Sequence, residues 1–536
     1  MDCIKKKKRR RPAADADGLE TDKEYAERWL SIRIIYFTMF LMSLGFSIVI
    51  TGVWPYMQKL DSDSSKEFMG YVVGANPFAQ MLFSPLVGWW ANRAGSIRQP
   101  LLATTALFTA ASAAYSALEV LPVPARKHCM LISRFLVGVS SANIAACRSY
   151  LSAATRMKER TGAVSMVSLA QVLGFIVGPG LQAGVTVLGA QGVALGGGLR
   201  LDMFTAASWI NVFLGVLNFV MFLPAIFKEK RIAAREAMLR QGAATEEATW
   251  KQKKPDYFSV WTLIIAFFVL VFNFVLLETL GTPLTMDQFA WTKEQALYYM
   301  GILMSVGAVI ACATFAAIGP LCKKFEERRV LIWGGFFLMV LGRALYVPWG
   351  PDPPLIASEN TTVTTSDGTE SVGCPPSQEW CATTPSMTVF QMVLGFAVTA
   401  IGYPTGVTLI QTLYSKLLGP RPQGVWMGLM TGSGCLSRFM GPVFVSYVYT
   451  RMGTLWTFGI TTSIMAVSMV WLLLFQGRLI VPEEEDDLRR RQANGKVPSD
   501  PSDPERPEED PDEDVAEDVG EDPEATRLQE IKTDKG

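Results

Sequence analysis

Apolar runs of about 20 residues, the length that crosses a hydrocarbon core as a helix, recur along the chain and restrict its fold more than any other feature. Twelve are read, at roughly 34–56, 68–91, 100–120, 129–153, 162–188, 203–227, 257–283, 297–318, 330–349, 388–414, 424–449 and 453–476. A backbone in lipid must satisfy its own polar groups, and these runs are too long for the strands of a barrel, so each is expected to be a helix. Half of the 536 residues are hydrophobic and 18% are charged, too little charge for a water-soluble chain of this size. The expected fold class is therefore an all-α polytopic membrane protein.

The formal net charge of zero averages two opposite ends. The chain opens on KKKKRRRP, Lys5 to Pro12, and after Val481 becomes rich in Glu, Asp and Pro. Residues 1–30 are expected to be a disordered basic arm near anionic lipid, and 479–536 a disordered acidic tail. With no cleavable signal peptide ahead of it, the first span is expected to act as the membrane signal. Lys and Arg crowd alternate loops: Arg93/Arg98, Arg156/Lys158/Arg160, Lys228 to Lys254, Lys323/Lys324/Arg328/Arg329 and Lys416/Arg421. The loop 350–386 has neither. The positive-inside rule then puts both termini in the cytosol, in keeping with an even number of spans.

The same loop carries the sequon Asn360-Thr361-Thr362 and the pair Cys374 and Cys381. Glycosylation at Asn360 and a disulfide between the two cysteines both require the lumenal side, so both are expected. Cys3, Cys129, Cys147, Cys312, Cys322 and Cys435 show no metal-ligand spacing and are read as packing residues. His128 is the single histidine, which argues against a histidine metal site or a multi-histidine proton relay.

Six spans, a central charged loop (228–256) and six more spans make two halves, 31–227 and 257–478, in the manner of a transporter. An internal repeat supports the division. RMKERTG ends at Gly162 and leads to Gly178-Pro179; GPRPQG ends at Gly424 and leads to Gly441-Pro442. Together with Gly281 and Pro283 in span seven, these pairs are candidate helix bends and gating points.

Three further motifs occur in order: the loop GWWANRAGSIRQPL after span two, Arg134 and Gly138 four apart in span four, and the Gly-Pro of span five. They resemble the G-x-x-x-D/N-R-x-G loop, the R-x-x-x-G of helix four and the bend of helix five of the major facilitator superfamily. Asn92 stands where an aspartate is common, so this loop lacks a switchable charge. A closer resemblance lies in Glu20 to Asp61, Glu278 to Ala296 and Tyr414 to Gly428, to a lysosomal branch of that superfamily whose loss causes ceroid lipofuscinosis. It implies a twelve-helix fold, a lysosomal membrane location and an association with chloride conductance. The acidic dileucine of that branch, E-x-x-x-L-L, is not found near the N-terminus.

Charge inside a span is costly and marks pairing or an aqueous pathway. The pathway candidates are Arg134 and Arg148 in span four, Glu278 in span seven and Arg438 in span eleven, with Asn143, Gln171 and Asn273 as polar companions. Arg343 in span nine is expected to snorkel to the nearby membrane surface, and snorkelling is the structural alternative for Arg148. Glu278 is either a proton-sensitive gate facing an acidic lumen or an ion-pair partner, Arg134 being one candidate. Two functions follow: a chloride or other small-anion conductance lined by the arginines, or a carrier that couples an organic solute to protons through Glu278. No hydrolase elbow, P-loop or zinc spacing is present, so no enzyme activity, cofactor or nucleic-acid partner is expected. GSG at Gly432 to Gly434 lies in a span and is read as helix packing.

Overall fold

The computed structural model describes residues 19–50, 52–61, 66–189, 192–196, 199–252, 254–358, 361–365 and 368–480. The basic run at 5–11, Asn360 and the acidic tail from 481 onward lie outside the described residues. In the first half the helices are α1 (Asp22–Ile50), α2 (Val53–Leu60), α3 (Lys66–Ala94), α4 (Arg98–Ser116), α5 (Val123–Ser141), α6 (Asn143–Ala154), α7 (Met157–Val185) and α8 (Ala206–Met221). A hairpin of β1 (Val193–Gly196) and β2 (Leu199–Leu201) precedes α8. The central loop is itself helical, with α9 (Ile232–Gln241) and α10 (Glu246–Gln252).

The second half holds α11 (Tyr257–Phe289), α12 (Lys293–Lys324) and the short α13 (Glu327–Arg329), followed by a π-helical stretch (Val330–Phe337) that runs into α14 (Leu338–Leu345). After the hairpin of β3 (Thr362–Thr365) and β4 (Gly368–Ser371) come α15 (Val389–Leu418) and α16 (Gly424–Leu474). All twelve expected crossings fall on these helices. The fourth is shared by α5 and α6. The eleventh and twelfth both lie in α16, which reverses at Gly453, where φ is 83°. That left-handed backbone is open to glycine and makes the turn between the two crossings.

Local chemistry sets the helix starts. Asp256 accepts from the Phe258 N–H at the head of α11, and the capping boxes Thr292/Gln295 and Thr388/Gln391 open α12 and α15. Apolar side chains form separate cores in the two halves, including Ile35, Met39 and Tyr150 in the first and Leu270, Phe336 and Tyr414 in the second. Between the halves α3 packs on α16 and α7 on α12. Within them, α1 packs on α7 and α11 on α16, the related pairs of the internal repeat. Gly178 lets α1 and α7 approach closely, since a Cβ there would lie 2.7 Å from the Ile48 nitrogen. Ser47 Oγ donates to the Phe175 carbonyl across that contact, and Ser437 Oγ donates to Phe268 across the matching one, both at 2.9 Å.

One expectation about order is corrected. Residues 22–30, assigned to a disordered arm, are the first turns of α1. Arg28, fully buried, ties them down by bonds to Glu20 (2.7 Å), Glu159 (2.9 Å) and the Ala154 carbonyl (2.9 Å). Gly281 and Pro283 do not end α11, which continues to Phe289. The Thr279 and Thr285 hydroxyls bond back to the carbonyls of Val275 and Thr282. Helices α7 and α16 likewise run through Pro179 and Pro442.

At the end of the bundle opposite the described termini, Lys59 binds Glu119 at 2.7 Å and Asp202 at 2.5 Å, and Lys127 binds Asp61 at 2.9 Å. These pairs clasp the exit of span one to the exit of span three and to the entries of spans four and six. In the same region Cys374 and Cys381 are joined by a disulfide.

Candidate functional site

Five helices of the two halves present side chains to one another, and helix periodicity explains which ones. Thr431, Cys435 and Arg438, spaced by four and three residues, share a face of α16. Gln171 and Phe175 share a face of α7, and Phe274 and Glu278 share a face of α11, each pair four residues apart. Arg148 comes from α6 and Tyr403 from α15.

Arg148 links the halves. Its Nη1 donates to Thr431 Oγ1 at 3.1 Å and its Nη2 to Gln171 Oε1 at 3.3 Å. Snorkelling is thereby corrected for Arg148, because both ends of its guanidinium are engaged by neighbouring helices. Arg438 lies fourteen residues into α16, ~21 Å at ~1.5 Å per residue. Its guanidinium covers the Phe175 ring at 5.3 Å, a second link between halves. Tyr403 stacks on Phe274 with centroids 3.9 Å apart and interacts electrostatically with Arg438, Glu278 and Arg148. Glu278 is exposed and acts electrostatically on Arg438, as Tyr403 does. The cluster therefore holds two guanidinium groups against one carboxylate. Guanidinium stays charged in any surroundings, so the excess is positive.

The remaining sequence candidates go elsewhere. Arg134, 2% exposed, lies over Phe46 at 5.6 Å, and its Nε and Nη2 have no hydrogen-bond partner among the described residues. Arg134, one candidate partner for Glu278, lies over Phe46 instead, and the arginine that interacts with Glu278 is Arg438. Asn143 donates to Met42 Sδ at 3.5 Å inside the first half, and Asn273 donates back to Val269 of its own helix at 3.1 Å. Arg343 does not snorkel. It is fully buried and donates to the Asn273 carbonyl at 2.5 Å, a bond that holds span nine to span seven. Tyr403, Phe175 and Thr431 were missed by sequence reasoning. All three are uncharged, and the signal that could have found two of them is four-residue spacing from Gln171 and Cys435.

Toward the terminus-bearing end the halves are sealed. Gly88 and Gly424 meet backbone to backbone, so that a Cβ on Gly88 would overlap the Gly424 carbonyl. Asn92 Oδ1 accepts from the Gly424 N–H at 2.9 Å, Ser152 and Ser415 hydroxyls bond at 2.6 Å, and Arg160 donates to the Ser415 carbonyl at 3.3 Å. Thr161 bonds to Glu327 across the same seam, and Lys416 braces Glu327 at 2.8 Å. Asn92 therefore does cap a helix, the first turn of α16 in the opposite half.

Comparison with known proteins agrees with this arrangement. The chain is 39% identical over 482 residues to Major facilitator superfamily domain-containing protein 8 of Xenopus laevis, covering 86% of this chain and 94% of that one. It is 21% identical over 466 residues to the class E tetracycline resistance protein of Escherichia coli, covering 84% and 97%. Among solved structures, the human organic anion transporter MFSD10 superposes with a TM-score of 0.58 at 16% identity, covering 83% of this chain and 99% of that one. The proton:xylose symporter XylE superposes with a TM-score of 0.60 at 12% identity, covering 84% and 96%. These two likenesses bear on fold. The sequence model of the Major Facilitator Superfamily matches residues 35–358 and 371–526, and the chain belongs to that family of multi-pass membrane transport proteins.

Proposed function

We propose that this protein carries a small anion, chloride first among the candidates, across an endolysosomal membrane through the cleft between its halves, with both termini in the cytosol. One observation carries the reading: Arg148 and Arg438, from opposite halves, act on each other in the cleft, and among the described residues Glu278 is the carboxylate that acts on Arg438. An excess cation in a low-dielectric cleft attracts anions and discourages cations. The lysosomal location and the chloride preference rest on resemblance to the lysosomal branch. A second reading, a carrier that moves an organic anion with a proton on Glu278, is favoured by the sealed seam. A cleft closed at one end suits alternating access better than a continuously open pore.

Recording from lysosomes, or from protein rerouted to the cell surface, tests both. Under the first reading, currents reverse with the chloride gradient and fall at least about tenfold in Arg438→Ala, while Arg438→Lys retains part of them. Proton-coupled uptake of an organic anion that Glu278→Gln abolishes, in the absence of chloride current, decides for the second.

A further inference from the structure

The loop-bearing end of the second half holds a buried carboxyl that the proposed pathway does not use. Asp287 occupies the last turn of α11, 8% exposed, and its Oδ2 accepts a 2.9 Å hydrogen bond from Tyr449 Oη on α16. Tyr449 stands edge-on to Trp380, with 5.3 Å between ring centroids. Trp380 in turn covers Gly453, where an added Cβ would lie 2.6 Å from the indole, and it adjoins Cys381 of the disulfide. One residue along, Gln288 Oε1 accepts from the Met387 N–H at 2.8 Å, at the foot of α15. Asp287 and Gln288 thus mark the point where span seven, span ten, the turn between spans eleven and twelve and the disulfide-bearing loop meet.

The groups facing Asp287 matter for its charge. From α16 it meets the Tyr449 phenol; behind that phenol the loop presents the neutral Trp380 ring. Among the described residues Tyr449 is the titratable group that acts on it, and no cation is paired with it. A carboxylate in this place would give up its water for a single phenol hydrogen bond. A carboxylic acid fits without that loss and brings a donor of its own.

We propose that Asp287 is a proton-binding site that pins this junction when the compartment on the loop side is acidic, and that loss of the proton loosens the hold of α11 on the loop and on α16. Proton binding is linked to the pinned form, so acid favours the closed junction and alkali the loosened one. The site is separate from the arginine cluster, and its test does not depend on what is transported.

Hydrogen exchange of the full-length protein in lipid nanodiscs, read on peptides spanning 284–291 and 383–392 and corrected for the intrinsic pH dependence of exchange, provides that test. Between about pH 5 and about pH 7.5 the wild-type junction should exchange at least about threefold faster at the higher value. Asp287→Asn, a neutral isostere, should stay protected at both. Tyr449→Phe, which keeps the ring and drops the hydroxyl, should exchange faster at both values yet keep a difference between them. Wild-type peptides whose protection is the same at both values overturn the proposal, whatever the variants do. So does an Asp287→Asn protein that retains the wild-type pH response.

Discussion

Tyr403 is held from two directions. Its ring is committed to Phe274, while its hydroxyl lies within the field of both arginines and Glu278. Tyr403→Phe keeps the stack and removes a hydroxyl that interacts with charge, a change typically costing about 1.5–3 kcal/mol. We expect the apparent affinity for the transported solute to fall by roughly tenfold or more, with a smaller drop in unfolding temperature than a truncation of the ring would cause. Tyr403→Ala should lower both. Measuring uptake and thermal stability on one preparation separates the two, and a Tyr403→Phe protein with wild-type affinity would remove the residue from the site. Residue roles were only partly legible in the sequence. Charges in spans announce themselves because their cost is high, so Arg148, Glu278 and Arg438 stood out. Their partners Tyr403 and Thr431 did not, because such residues are ordinary in membrane helices. Arg134 stood out as well, and Arg343 more weakly, yet both are turned into packing, since cost alone says nothing about which neighbour receives a side chain.

Elements were far more legible than contacts. A bilayer leaves a backbone few choices, so the twelve crossings could be read from hydropathy, and the six-plus-six division from the central charged run. What hydropathy cannot carry is local irregularity. The π-helical stretch at the start of span nine, the one-residue turn at Gly453 and the unbroken course of α11 through Pro283 all depend on neighbours. Contact between α3 and α16 is the element-scale feature most open to test. Gly88→Val should hold the two helices apart at the terminus-bearing end, because no side chain fits against the Gly424 carbonyl. Distances between spin labels on those helix ends should lengthen, and the seam-open form should gain population. Gly162→Ala, where an added Cβ meets nothing within 4 Å, should leave the distances alone. An unchanged distribution in Gly88→Val would mean that the seam does not depend on this approach.

For the molecule as a whole, the two ends answer differently to their surroundings. On the loop side the Lys59 clasp is ionic. Burial pushes the Asp202 carboxyl up, but Lys59 and the N–H groups of Thr205 and Phe204 outweigh it and hold that carboxyl below the ordinary aspartate range. The sign follows directly. A lowered carboxyl adds stability that is complete above its unfolded value, about 3.9, and is lost only as pH falls through the lower folded value. The clasp contribution should therefore be flat between about pH 7 and about pH 5. The difference in unfolding temperature between wild type and Asp202→Asn should stay constant over that range and narrow only below about pH 4. A difference that already collapses near pH 5 would count against it. On the terminus-bearing side, each bond named across the seam pairs two neutral groups or one charge with a neutral group: Asn92 with Gly424, Ser152 with Ser415, Arg160 with a carbonyl, Thr161 with Glu327. Salt screens attraction between opposite charges and scarcely touches bonds of this kind. These bonds are thus nearly blind to ionic strength, and changes in salt on that side of the bundle give them little signal.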